Sequence, residues 1–387
     1  MDAARALWPL LAILLLIAAA VALVVRAGGQ AAAAAAPTTY TMETIETWVA
    51  APNGSHLYTR IVQPVPAVYP GQRFATLIAI PGGTGAGAPL ADNPGYRNLA
   101  VSGFVVMAFN AEGRGSGAPG NLRSQGTEDC NGFVHQDDLK AIVEYAAALP
   151  NVDVSNIGVE TSSFGIAIGA GALGRYASLP VAYLIDQEGP HDNRVITFYD
   201  AGHETAVCGH LSTVTDPSPA NVAFWAEREA VRYIDTYSGR YLRMQAEVDH
   251  AQNPGYFRHA IEMVNAATRA EYGGTGSALW TRMNGGDLGN PINAVYPLSD
   301  PSQYPIWVSG RLADHPGLNF TYIREMAALS DVPVGGIADL PDTAESDESA
   351  GLVYAALAGG AAAAAAAVAV GGWHARRRRL RSRGPGL

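Results

Sequence analysis

The stretch "GVETSSFGIAIGAGAL", residues 158–173, puts two adjacent serines between a β-like run and a run of small residues. Thr161-Ser162-Ser163-Phe164-Gly165 has the form small-x-Ser-x-Gly, placed after a predicted strand and before a predicted helix. A nucleophile elbow needs that form, because its turn is too tight for bulky residues two places before or after the serine. Ser163 is therefore the candidate nucleophile, its hydroxyl raised at the top of a sheet. Phe164 follows at the helix N-terminus, where its amide would face an oxyanion. Ser162 is flanked by Glu160 and Phe164, neither of them small, and is rejected. Thr161 stands where a glycine is usual. The competing reading is a serine in an ordinary helix N-terminus.

Working outward, "IAIPGGTGAG", residues 78–87, is an apolar strand that runs into glycines. Gly82 or Gly83 would supply a second oxyanion amide from this loop. The loop lacks the Gly-Lys-Ser/Thr ending of a phosphate-binding P-loop, and GxGxxG is absent from it. Asn53-Gly54 between two strand-like runs, 44–51 and 56–65, marks an opening hairpin. Buried-type strands are predicted at 74–83, 104–113, 155–161, 181–189, 241–249 and 278–284. Helices are predicted at 94–103, 136–149, 162–178, 256–269 and 319–329. That alternation predicts an α/β fold with a mostly parallel central sheet flanked by helices. Residues 191–240 are polar, irregular and too long for a simple connection, and read as a cap insertion.

"FNAEGRGSGAPG", residues 109–120, places Arg114-Gly115-x-Gly117 after the fourth strand. Together with the opening hairpin and the order of the loops, it resembles the α/β-hydrolase superfamily. The nearest branches in style are the X-prolyl dipeptidyl peptidase/cocaine esterase and prolyl oligopeptidase-like serine hydrolases. The resemblance covers residues 42–330 and lies more in the order of its motifs than in any one of them. Glu112 stands where the family usually has Asp, and Arg114 is expected to pair with carboxylates under its loop. The resemblance implies a chain order of serine, acid, histidine. The acid is expected after the strand that follows the cap, which selects Asp249, although Ala246 replaces the usual glycine before it. The histidine is expected just before the last helix, which selects His315. His250 is the alternative base; Asp249, adjacent to it in sequence, is poorly placed to orient it, so Asp314 or another carboxylate would have to. Glu188, after the sixth strand, is read as binding a positively charged substrate group such as a peptide N-terminus, or else as a loop carboxylate satisfied by local amides. The implied chemistry is acyl transfer to Ser163 from a small-molecule ester or a peptide, with no metal or organic cofactor. A non-catalytic binding module on the same fold is the alternative.

Asp186, Glu188, His191, Asp192, His203, Glu204 and His210 are a dense set of possible ligands, but His203-Glu204 lacks the second histidine of HExxH. The two cysteines, Cys130 and Cys208, are candidates for one disulfide, the pairing expected outside the cytoplasm. Asn53-Gly-Ser and Asn319-Phe-Thr match the glycosylation sequon.

The ends differ from the middle of this 387-residue chain. Residues 1–36 contain an unbroken apolar run at 7–25, long enough to cross a bilayer, and read as a signal peptide or N-terminal membrane anchor. Residues 37–330 are assigned to the hydrolase-like domain and 331–349 to an acidic stalk. Residues 350–387 combine an uncharged Ala/Gly-rich run, 350–372, with an arginine-rich tail, the pattern of a C-terminal transmembrane helix with a cytoplasmic end. The domain is thus expected outside the cytoplasmic membrane, anchored through terminal helices. Formal net charge is −10, and it grows more negative once the arginine-rich tail is set aside. Such a field argues against nucleic acid as a partner.

Overall fold

The computed structural model describes residues 39–191, 208, 222–250, 257–284, 292–304 and 307–329. The predicted membrane runs, the stalk, and 192–207 and 209–221 of the cap lie outside the described residues. Among the described residues no helix is long and apolar enough to cross a membrane.

Eight strands form one sheet. They are β1 (Met42–Ala50), β2 (His56–Pro64), β3 (Phe74–Ile80), β4 (Phe104–Phe109), β5 (Val152–Ser162), β6 (Tyr183–Gln187), β7 (Arg240–Met244) and β8 (Trp280–Met283). Their order across the sheet is β1-β2-β4-β3-β5-β6-β7-β8. The β1/β2 and β2/β4 pairs are antiparallel, and every later pair is parallel. Among the described residues the helices with described bounds are α1 (Pro94–Val101), α2 (Phe133–Ala148), α3 (Ile166–Arg175), α4 (Val222–Ala226), α5 (Val231–Ile234), α6 (Arg258–Ala267) and α7 (Leu318–Ala328).

The sequence explains the layers. β4 is apolar throughout, β3 is apolar but for Thr76, and both are wholly buried, as parallel strands covered on both faces must be. Alternate residues face opposite layers. Ile78 and Ile80 pack with Leu139, Ile142 and Val143 of α2, Ile168 and Leu173 of α3, and Ile261 and Val264 of α6. Leu77 and Ala79 face the other way, onto Tyr96 and Leu99 of α1 and Tyr322, Ile323 and Met326 of α7. β1, at the sheet edge, alternates between exposed and less exposed residues instead.

Because β5, β6 and β7 are parallel neighbours, their C-terminal ends emerge side by side. The register pairs Ser162 with Gln187, and Gln187 with Met244. Residues just beyond these positions therefore meet, although they are far apart in sequence. Neighbouring strands lie about 4.8 Å apart, so side chains two strands away are within reach across the one between.

Candidate active site

The turn after β5 is built as the serine motif requires. Ser163 has φ 48°, a left-handed conformation that a residue with a side chain adopts at a cost of about 1–3 kcal/mol. A short 3-10 turn, Ser163–Gly165, leads into α3. Gly165 passes against the exit of β3, where a Cβ would lie 2.5 Å from the Pro81 carbonyl oxygen. Thr161, the departure from the usual glycine, is accommodated by a second glycine. A Cβ at Gly169, one turn into α3, would sit 2.5 Å from Thr161 Cγ2. Gly82 abuts the serine itself, since a Cβ there would stand 3.0 Å from Ser163 Cβ.

His250, in the loop after β7, meets Ser163: its Nε2 lies 2.7 Å from Ser163 Oγ. Its Nδ1 lies 2.8 Å from Glu188 Oε2 and 3.5 Å from Asp249 Oδ1. The order Ser163, Glu188, His250 runs along the chain as serine, acid, histidine. Three adjacent strands deliver the three side chains.

The acid is held rigidly. Glu188 is buried with φ 50°. Its amide donates to Met244 O at 3.0 Å, and its Oε1 accepts from the Ala246 amide at 3.2 Å. Beneath it, the fully buried Arg243 pairs with Asp186 at 2.8 Å and donates to Gly189 O at 2.6 Å. Asp186 Oδ1 accepts from the Gly189 amide, closing the turn that carries Glu188. Asp249 is tied to the same frame, since its Oδ2 accepts from Gln245 Nε2 at 2.8 Å, and Gln245 Oε1 accepts from Arg243. Asn284, at φ 54°, brackets Gln245 through its backbone N–H and C=O. The non-glycine residues with left-handed φ among the described residues are Cys130, Asn131, Ser163, Glu188 and Asn284, and all five belong to this site or its supports. Such clustering of backbone strain points to function rather than chance.

The electrostatics favour a protonatable histidine. Burial works against the His250 imidazolium, but the Glu188 hydrogen bond and the Asp249 and Glu188 charges outweigh it and hold the pKa above the ordinary 6.5. Burial raises the Glu188 carboxyl above its usual range; the His250 hydrogen bond opposes this and the Asp249 charge adds to it.

His315 is not brought to Ser163; the histidine that meets the serine is His250, the alternative. His315 is exposed, and its Nε2 lies 2.6 Å from Ser309 O within its own loop. Residues 308–310 bond alongside 245–248 and carry that loop along the outer side of the β7 extension. Asp314 caps the loop by accepting from the Arg311 amide at 2.9 Å. Asp249 is brought to the base, but at the longer distance. Glu188, read as a substrate contact, is instead turned onto the imidazole. This contact was hidden because the β6/β7 register decides which carboxylate reaches Nδ1.

Glu188, Asp249 and His250 are also the one group among the described residues whose donor atoms, all within 4.8 Å of one another, suit a metal ion. They are the same atoms that hold the serine's hydrogen-bond partner. Asp192, His203, Glu204 and His210 lie outside the described residues. Cys130 and Cys208 are disulfide-bonded, with Cα atoms 5.8 Å apart. They pack with Phe164, Ala167 and Trp225 of α4, so the bond joins the loop after β4 to the cap. Neither sequon asparagine is free: Asn53 Nδ2 donates to Glu112 Oε1, and buried Asn319 donates to Glu160.

No protein-family model and no curated protein matches this sequence. Among solved structures the chain is similar to Porphyromonas gingivalis dipeptidyl peptidase 4, with TM-score 0.51 and 17% identity over 74% of this chain and 36% of that one. It is also similar to acetyl xylan esterase from Paenibacillus sp. R4, with TM-score 0.49 and 13% identity over 73% of this chain and 84% of that one. Pyrococcus horikoshii acylaminoacyl peptidase gives TM-score 0.49 and 12% identity over 75% and 41% of the two chains. The chain spans about a third of the length of the dipeptidyl peptidase and prolyl endopeptidase structures it matches. At this identity the likeness to the Porphyromonas gingivalis structure speaks to architecture, and with the strand order and the turn after β5 it leads to one conclusion: the chain has the α/β-hydrolase fold.

Proposed function

We propose that the chain is a serine hydrolase that cleaves ester or peptide bonds through an acyl-enzyme on Ser163. The observation that carries this reading is the unbroken hydrogen-bonded line from Ser163 Oγ through His250 to Glu188. Ser163 Oγ attacks the substrate carbonyl carbon while its proton passes to His250 Nε2. The carbonyl oxygen becomes an oxyanion facing the amides of Phe164 and of Gly82 or Gly83, at the N-terminal end of α3. Collapse of this adduct breaks the bond to the leaving alcohol or amine, which takes the proton from Nε2. Water then repeats the sequence: its proton goes to Nε2, its oxygen to the acyl carbon, and Ser163 recovers its proton. Glu188 orients the ring and stabilises the imidazolium through Nδ1–H. Asp249 adds a second negative charge on the same side.

The direct test is Ser163→Ala assayed on p-nitrophenyl esters and aminoacyl p-nitroanilides. The expected loss is about a thousandfold or more. Full activity retained in the variant overturns the reading.

The domain is further proposed to sit outside the cytoplasmic membrane, anchored through the apolar runs at 7–25 and 350–372. The Cys130–Cys208 bond supports an oxidising surrounding. Protease added to intact spheroplasts making the full chain should digest residues 39–329; protection of that segment contradicts the placement.

A further inference from the structure

Two loops meet behind Ser163 at a single side chain. One is the glycine-rich loop after β3; the other is the loop after β4 that ends at residue 132. The side chain is Asn131, which is fully buried with φ 65°. Its Nδ2 donates to Gly83 O at 3.0 Å and to Phe164 O at 2.9 Å. Its Oδ1 accepts from Arg114 Nη2 at 2.5 Å. A carboxamide has two N–H donors and one carbonyl acceptor, and here all are used. The opposite orientation would set Oδ1 against two carbonyls and Nδ2 against a guanidinium, so the network settles which atom is which.

The anchor of this side chain is itself held. Arg114 binds Glu128 with Nε at 2.8 Å and Nη2 at 2.7 Å, and Glu128 Oε1 also accepts from the Cys130 amide. The Asn131 amide donates to His135 Nδ1 at 3.0 Å, while His135 Nε2 lies 3.1 Å from Glu112 O. His135 is buried beside Arg114, and burial and that charge push its pKa down to about 3. It therefore stays neutral and keeps Nδ1 as an acceptor. The Arg-Gly loop thus ends in one carboxamide fastened to Gly83 and Phe164, two of the residues whose amides face the oxyanion in the mechanism above.

We propose that Asn131 is a positioning residue for the oxyanion hole. It clamps Gly83 and Phe164 at a fixed separation, with Arg114 as its anchor. The inference rests on the reading of Ser163 as the nucleophile. Oxyanion donors act at about 2.7–3.1 Å from the developing charge, so a clamp between the two sides controls how well both fit. Elsewhere the glycine-rich loop is held at Gly85 O, by Arg114 Nη1, and at the Ala88 amide, by Asn110 Oδ1, so Asn131 is the side chain that ties Gly83 itself to the serine turn.

The test uses the full chain and a fluorophosphonate probe, which forms a tetrahedral adduct on an activated serine. Asn131→Asp keeps the size and the Arg114 contact but removes both N–H donors. Asn131→Gly removes the side chain and accepts the left-handed φ without strain. The rate constant for labelling Ser163 is expected to fall about tenfold to a hundredfold in both variants, the scale of a misplacement near 1 Å. The pH midpoint of labelling, which reports His250, is expected to stay where it is. Labelling within twofold of wild type in a folded variant overturns the proposal. So does a slower rate accompanied by a displaced pH midpoint, which would place the effect on His250. Unfolding of both variants would make Asn131 a purely structural residue, and would also overturn it. If the wild-type chain is not labelled at Ser163, the nucleophile reading itself fails; if it is labelled and the variants react as fast, only the clamp fails.

Discussion

The sheet end formed by β5, β6 and β7 and the loop before α7 each present a histidine, and they hold it in opposite ways. His250 has one ring nitrogen on Ser163 and the other on Glu188, with buried Asp249 beside it. His315 is exposed and turned back onto Ser309 O. His315 occupies the chain position at which a base is expected, before the last helix, yet its loop satisfies itself. His250 occupies the less expected position, but adjacent parallel strands bring it a serine and a carboxylate in register. Strand neighbourhood, not distance along the chain, decides which imidazole meets both a serine and a carboxylate.

The largest effect expected from breaking this contrast is on turnover of a p-nitrophenyl ester. His250→Ala should lower kcat by about 10⁴-fold, and combining it with Ser163→Ala should cost little more, because residues that act as a unit are not additive. His315→Ala should stay within about twofold, as surface substitutions away from the reacting groups do. A large loss in the His315 variant with little in the His250 variant would reverse the assignment.

A smaller effect separates the two carboxylates. Glu188→Gln removes the nearer charge and should lower kcat by about a hundredfold or more, whereas Asp249→Asn, acting from the longer distance, should cost only a few-fold. Both should move the acid limb of the kcat/KM profile. His250 must be neutral to take the serine proton, so activity falls as pH drops through its pKa, which the two carboxylates hold above 6.5. Removing either charge lowers that pKa and shifts the limb to lower pH, further for Glu188→Gln. A larger downward shift for Asp249→Asn would assign the orienting role to Asp249, and an upward shift in either variant would contradict the carboxylates' hold on His250.

The smallest effect lies behind the site. Asp138 accepts from the Glu112 amide, has no hydrogen-bond partner at Oδ1 among the described residues, and burial pushes its pKa up to about 8. Its folded-state pKa thus exceeds the ordinary value of 3.8, so the folded form holds a proton that the unfolded chain releases. Stability is therefore lost as pH rises from about 4 towards 8. Asp138→Asn removes this penalty, and calorimetry should find its Tm advantage over wild type larger at pH 8 than at pH 5. An equal difference at both values would contradict the buried, protonated carboxyl.

Much of the architecture was legible because hydrophobic runs and turns report burial directly. The strands around "FATLIAI" and "FVVMAF", and the helix from Leu318 to Ala328, fall where their patterns place them. The tight turn at Ser163 was legible from its flanks, apart from Thr161. That departure needs Gly169, four residues beyond Gly165, and the contact shows itself only once the helix is folded against the strand. The pairing of Glu188 with His250 was not legible. Glu188 is recognisable as a carboxylate at the right end of the sheet, but its partner depends on how β6 and β7 align, and pattern alone does not encode that register. Asn131 left no signal at all: one asparagine in a polar loop gains meaning only from the two carbonyls it meets.

The activation of Ser163 by His250 is tested most directly by treating wild type, His250→Ala and His315→Ala with a fluorophosphonate and locating the adduct by digestion and mass spectrometry. Modification of Ser163 in wild type and His315→Ala, with none in His250→Ala, is the expected result. Modification that survives in His250→Ala and disappears in His315→Ala would contradict it.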